Sequence, residues 1–341
     1  MNNSSLIVRY ILLFLLISSC SGAESQTTKR INGVSLVSTS SPIQEKDVQQ
    51  IKNIEANYAA VIPFGFIRDM KTPHVEYNLE WQWFGETHVG VKQYVALLNS
   101  QGIEVMLKPQ LWVGHGMYTG HIELEKEDDW VVLEKSYSEF ILSYAQLANE
   151  LETPIFCIGT ELMIFVNRRP DYWKRLIIEI RALYTGKITY AANWDEFEGV
   201  SFWEELDLIG VDAYFPLTES NTPSLSDLEK KWSEYKDKIE VTSVTVNRPI
   251  LFTEFGFRSV NFALKEPWSS HSVEGEVNLK IQATALQSLF NSFWHEEWFA
   301  GGFVWKWFPN HNDSGGAKDN RFTPQNKPAE KVIKEVYLKH Q

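Results

Sequence analysis

The sequence predicts a single (β/α)8 barrel. Three features of the chain carry that reading: eight short apolar runs, helix-patterned segments between them, and long polar loops that mostly follow the apolar runs. The runs are INGVSLV (31–37), YAAVIPFGFI (58–67), GIEVMLKPQLW (102–112) and PIFCIGTEL (154–162). KITYAANW (187–194), LDLIGVDAYFP (206–216), PILFTEFGF (249–257) and FAGGFVWKWFP (299–309) complete the set. Strands covered on both faces read as nearly continuous apolar runs, and strand–helix alternation of this kind closes into a barrel. A doubly wound open sheet is the competing architecture. No GxGxxG follows the first run, and eight units suit closure better.

The helices follow from 3.6-residue periodicity. VGVKQYVALLNSQ (89–101) puts Val91, Tyr94, Val95 and Leu98 on one face. Residues 130–150 form a long amphipathic segment, and PDYWKRLIIEIRALY (170–184) opens with Pro, which suits a first helical turn. DLEKKWSEYKDKI, NLKIQATALQSLFNSFWHEE and AEKVIKEVYLKH supply three more. The long loops are 68–87, 113–128 and 310–325, after the second, third and eighth runs. In a barrel they build the rim where active sites sit.

Composition sets the outer limits. The chain has 341 residues, of which 44% are hydrophobic and 13% aromatic, with 13 Trp; that is enough for a sizeable core. A net charge of −12 disfavours general binding to nucleic acid or anionic membrane and leaves neutral partners open. At the N-terminus, Arg9 precedes an apolar run over 11–17, too short to span a bilayer. It ends in ISSC, which resembles a bacterial lipobox. The expected organisation is a lipoprotein signal peptide (1–19), a lipidated Cys20 heading a polar tether (20–30), and a barrel domain (31–341). Ser21 is not the usual Asp retention signal, so the expected location is the bacterial envelope, lipid-anchored at the outer membrane. The other cysteine, Cys157, reads as a small buried hydrophobe. HNDSGG (311–316) lacks the spaced acids of a calcium loop, and there is no HExxH, so neither a metal nor another cofactor is expected.

Two carboxylates stand at the ends of apolar strands: Glu161 on the fourth and Glu254 on the seventh. Simple alternation groups Glu254 with Ile250 and Phe252, and Glu161 with Cys157 and Gly159. A strand-end Glu can merely pair with Arg or cap a helix. Two of them across one barrel mouth suit hydrolysis of a glycosidic bond, with one group as proton donor and the other as nucleophile. Other candidate contacts are Asp212 and Tyr214 on the sixth strand, Asn193 after the fifth, and Trp305 on the eighth, whose indole can stack on a sugar. Lys108, Gln110, Trp112 and His115 crowd the end of the third strand. Lys108 fits either substrate contact or pairing with an internal acid. Trp81, Trp83 and Phe84 either extend a sugar cleft or pack down their loop.

GTEL (159–162), DAYFP (212–216), FTEFGF (252–257) and GGFVWKW (301–307), with the opening NGVSL, resemble glycoside hydrolase family 113 from about residue 30 to the C-terminus. The resemblance implies a retaining (β/α)8 glycosidase acting on β-1,4-mannan or manno-oligosaccharides, as an endo-mannanase or an exo-acting β-mannosidase-like enzyme. It implies Glu161 as acid/base, Glu254 as nucleophile, Tyr214 in contact with the nucleophile and Trp305 beneath the −1 sugar. Many families of this clan place Asn before the acid/base. Here that residue is Thr160, which leaves Asn193 as a candidate contact for the 2-hydroxyl. The remaining alternatives are a hydrolase of another β-glycan, such as glucomannan or glucan, and a non-catalytic carbohydrate-binding lipoprotein. A monomer is expected.

Overall fold

A computed structural model describes residues 29–269 and 275–341. The signal peptide and Cys20 lie outside the described residues. Eight parallel strands close a barrel: β1 (Ile31–Leu36), β2 (Tyr58–Val61), β5 (Glu104–Leu107), β7 (Ile155–Thr160), β8 (Lys187–Asn193), β9 (Leu208–Asp212), β10 (Ile250–Phe255) and β11 (Phe299–Trp307). β11 pairs with β1 and completes the ring. The helices are α1 (Glu45–Asn53), α2 (His88–Ser100), α3 (Glu127–Glu150), α4 (Met163–Arg168), α5 (Pro170–Leu183), α6 (Leu225–Val246), α7 (Leu279–Phe293) and α8 (Pro328–Lys339). The β8–β9 connection carries only short 3-10 turns at Phe197–Gly199 and Trp203–Glu205.

Two expected strands are each broken in two. The second run divides into β2 and β3 (Phe64–Asp69), and the third into β5 and β6 (Gln110–Val113). Val61 pairs with Leu107 and Phe64 with Gln110, so Pro63 and Pro109 lie at the same level on neighbouring strands. Neither proline has an N–H to donate, and the ladder breaks there. Beyond the break, β3 and β6 leave the barrel and pair in a separate sheet of order β4-β3-β6, where β4 (Thr72–Tyr77) lies within the expected 68–87 loop. One face of this sheet packs on α3, where Val75 N–H donates to Ser136 Oγ at 3.1 Å.

The core has two layers. Outward-facing strand residues such as Ile250, Phe252 and Phe255 pack under the helices, while Ile31, Met106, Cys157, Leu208, Leu251 and Phe303 fill the barrel itself. A Cβ on Gly33 would come 2.4 Å from the Phe303 ring, so a bare backbone there lets Phe303 lie across the barrel. Among the described residues, no helix is long and apolar enough to cross a membrane.

Candidate active site

Three side chains hold Glu254 in place. Lys108 Nζ lies 2.5 Å from its Oε1, Gln110 Nε2 donates to the same oxygen at 2.9 Å, and Tyr214 Oη donates to Oε2 at 2.8 Å. Lys108 is fully buried and also reaches Asp212 at 3.3 Å, while Thr253 Oγ1 donates to Asp212 Oδ1 at 2.7 Å. Of its two sequence readings, Lys108 therefore takes the second: it pairs with internal acids. Burial pulls its ammonium pKa down, but the charges of Asp212 and Glu254 outweigh that, and the net shift is up.

Glu254 does not share a face with Ile250 and Phe252, as alternation predicts. Phe252 pairs with Val211 and Glu254 with Asp212, so two steps on β10 oppose one on β9. The extra residue is a β-bulge. It turns Thr253 and Glu254 together toward the site, while Phe252 and Phe255 stay under the helices. β7 shows the same device: Cys157 pairs with Thr189 and Thr160 with Ala191. Cys157 faces the barrel interior, but a Cβ on Gly159 would meet Tyr137, Trp173 and Tyr190 in the outer layer. The predicted face of Cys157, Gly159 and Glu161 is therefore corrected as well.

Glu161 follows β7 with φ of 52°, a left-handed conformation that costs a non-glycine residue about 1–3 kcal/mol. Backbone hydrogen bonds hold the turn: Glu161 N–H donates to Ala191 O at 2.8 Å and Leu162 N–H to Tyr190 Oη at 2.7 Å. Burial, then the negative charges of Asp212 and Glu254, push its carboxyl pKa well above the usual range, with Lys108 opposing. Burial and the Glu254 charge likewise push Asp212 up to about 7. One ammonium faces three carboxyl groups here, and burial favours the protonated form of Glu161.

These groups line a cleft of about 770 Å³ at the barrel mouth. Glu161, Glu254, Asp212, Tyr214, Asn193, Trp112 and Trp305 all border it. Asn193 Oδ1 accepts from Trp194 N–H at 2.9 Å, and Glu196, pushed up to about 7 by burial, accepts from Asn193 N–H at 2.7 Å. Trp305 packs on the barrel-filling cluster, joined to Lys306 by a cis peptide bond. His115 is exposed, in left-handed backbone, and does not line the cleft. Trp81, Trp83 and Phe84 do not line it either.

Tyr118 and Trp268 were not among the site residues legible in the sequence, and Gln110 stood out only as one of the group at the end of the third strand. Tyr118 borders the cleft from the 113–128 loop, and its phenol pKa is raised by burial and then by the charge of Glu161. Trp268 stacks on Trp194, with ring centroids 5.5 Å apart. Gln110 was signalled by its place two residues after Lys108; loop residues such as Trp268 carry no comparable signal.

A buried proton donor and an ion-paired carboxylate in one sugar-sized cleft suit acid-assisted cleavage of a glycosidic bond. The sequence profile of Glycoside Hydrolase Family 113 matches residues 38–327. The chain belongs to glycoside hydrolase family 113. None of the curated proteins matches it. Among solved structures, a family 113 β-mannanase from Alicyclobacillus acidocaldarius in complex with ManMIm aligns with a TM-score of 0.80 at 22% identity, covering 92% of this chain and 98% of that one. A second family 113 β-1,4-mannanase aligns at 0.78 with 23% identity, covering 91% and 99%. A Faecalibacterium prausnitzii β-glucuronidase aligns at 0.63 with 14% identity, covering 92% of this chain and 49% of that one. At these identities the structural likeness shows the fold. In this family 113 chain, both glutamates stand directly after bulges at the C-terminal ends of their strands.

Proposed function

We propose that this family 113 enzyme hydrolyses β-1,4-mannosidic bonds in mannan or manno-oligosaccharides with retention of configuration. The observation that carries the mechanism is the contrast between Glu254, gripped by three donors, and Glu161, buried beside Asp212 and Glu254 with its carboxyl pushed well above the usual carboxylate range. Glu254 attacks the anomeric carbon as the bond to the leaving oxygen breaks, and Glu161 gives that oxygen its proton. A glycosyl ester on Glu254 results. Glu161, now ionised, takes a proton from water, and the water oxygen displaces Glu254 and releases the sugar. The three donors hold one Glu254 rotamer aimed into the cleft, which reduces the reorganisation that attack requires.

Trp305 forms the floor under the reacting sugar, and its indole face stacks on the apolar face of the pyranose. Thr160 Oγ1 is buried beside Glu161 with no partner among the described residues, and Asn193 borders the same space, so both suit sugar hydroxyls. The family 113 structures named above are β-mannanases by name, which supports mannan as the substrate. The lipobox at Cys20, followed by Ser21, supports a lipid anchor at the bacterial outer membrane.

The test is incubation with reduced manno-oligosaccharides of defined length, sizing of the products, and NMR of the first anomer released. A β-anomer is expected. Initial release of the α-anomer would overturn retention, and no cleavage of any mannan would overturn the substrate. Metabolic palmitate labelling that survives in wild type and disappears in Cys20→Ala checks the anchor.

A further inference from the structure

The small sheet presents an unexplained outer face. Its inner face, with Gly65, Val75 and Leu111, packs towards Phe140 of α3. On the other face Phe64 pairs with Gln110 and Phe66 with Trp112. Gln110 is one of the three residues that hold Glu254. Trp112 lies two residues further along the same strand, about 7 Å at the strand rise, so the face starts at the catalytic carboxylate and leads outward. Phe64 and Trp305 both pack on the barrel-filling cluster.

Aromatic rings continue along this path. Phe66 lies 6.3 Å from Phe64, 6.0 Å from Trp112 and 4.8 Å from Trp81, centroid to centroid. Yet Trp112 is 49% exposed and Trp81 58% exposed. Large rings grouped on the surface and continuous with a cleft mark a binding surface better than scattered apolar residues do. An indole combines a flat apolar face with an N–H donor, which matches the alternating C–H faces and hydroxyls of a sugar chain. Arg68, two residues past Phe66, and Glu76, which pairs with Phe66, form an ion pair at 3.5 Å. Their charges cancel, so the face favours an uncharged polymer over an anionic or cationic one.

We propose that this face is a glycan platform, which binds the part of an uncharged β-linked chain that extends out of the cleft over Trp112, Phe66 and Trp81. The proposal rests on the glycosidase reading above. It assigns the expected aromatic role in the 68–87 loop to Trp81 through the sheet, outside the catalytic cleft.

The experiment compares kcat/KM of wild type, Trp81→Ala and Trp81→Tyr on a soluble mannan and on a trisaccharide. Trp81 is exposed and off the cleft, so thermal unfolding of the variants should match wild type. Trp81→Ala should lose about tenfold on the polymer, equivalent to ~1.4 kcal/mol. It should be unchanged on the trisaccharide, and Trp81→Tyr should recover most of the loss. Equal losses on both substrates, or no loss on the polymer while wild type is active, would overturn the platform alone. A wild-type protein inert towards β-glycans of every length would overturn both the platform and the glycosidase reading.

Discussion

Lys108 and Glu254 form a buried ion pair, Nζ to Oε1 2.5 Å, and Asp212 shares the same ammonium. Removing one partner of a buried pair leaves an uncompensated charge and costs about 3–5 kcal/mol. Lys108→Met should therefore lower the thermal midpoint strongly. Lys108 opposes the upward shift of Asp212, so without the cation Asp212 binds a proton more readily, and the acidic limb of kcat/KM should move to higher pH. A stopped pH–rate series on the refolded variant checks this. An unmoved acidic limb would remove Lys108 from the site's electrostatics.

Tyr214 donates to the other Glu254 oxygen at 2.8 Å. A hydrogen bond to a charged group is worth about 1.5–3 kcal/mol, or roughly 10- to 150-fold in rate where it orients the attacking atom. Tyr214→Phe keeps the ring against Phe322 and should lower kcat by that range with little change in stability. Glu254→Ala should abolish turnover while the chain stays folded by circular dichroism. Full activity in Glu254→Ala would exclude it as the nucleophile.

Glu161 gives a prediction that separates chemistry from stability. Its folded pKa is raised above the unfolded value, so its protonated form is the one the fold favours. The associated stability is present below the unfolded carboxyl pKa of about 4.3 and is lost as pH rises through the raised folded value. Glu161→Gln keeps the neutral shape at every pH. Its melting temperature should match wild type near pH 4 and exceed it near pH 8. Hydrolysis of mannan should fall about 10²- to 10⁴-fold, because the general acid is gone. An aryl glycoside with a nitrophenolate leaving group needs no proton and should lose far less in the glycosylation step. Equal losses on both substrates would sink the proton-donor role.

The eight strands and the chain positions of Glu161 and Glu254 were legible in the sequence because buried parallel strands are apolar and a carboxylate at their end stands out. The facing of those carboxylates was not. Period-two alternation has no term for an extra residue, and both β7 and β10 carry one immediately before the glutamate. The paired breaks at Pro63 and Pro109 hid for a related reason. Each proline lies within an otherwise apolar run, and only the register shows that they sit side by side. His115 sits close to Lys108 in sequence, but the left-handed turn after β6 carries it outside the cleft. Tyr118 and Trp268 are brought in by loops, whose course no local pattern specifies.

The barrel interior supplies the last prediction. Phe303 occupies the space beside Gly33, where a Cβ would stand 2.4 Å from the ring. Both neighbours are fixed, since β1 pairs with β11 through Val34 and Val304 and with β2 through Val34 and Ala59. Gly33→Ala therefore overpacks a closed ring with little room to relax. It should cost about 1–3 kcal/mol, read as a lower denaturant midpoint at unchanged slope. Phe303→Leu in the same chain removes the clashing ring edge and should recover part of that loss, whereas on the wild-type background it should destabilise. That reversal of sign between backgrounds is the signature of direct contact. Additive losses in the double variant would mean that Gly33 is required for its backbone conformation and that the ring is not what it accommodates.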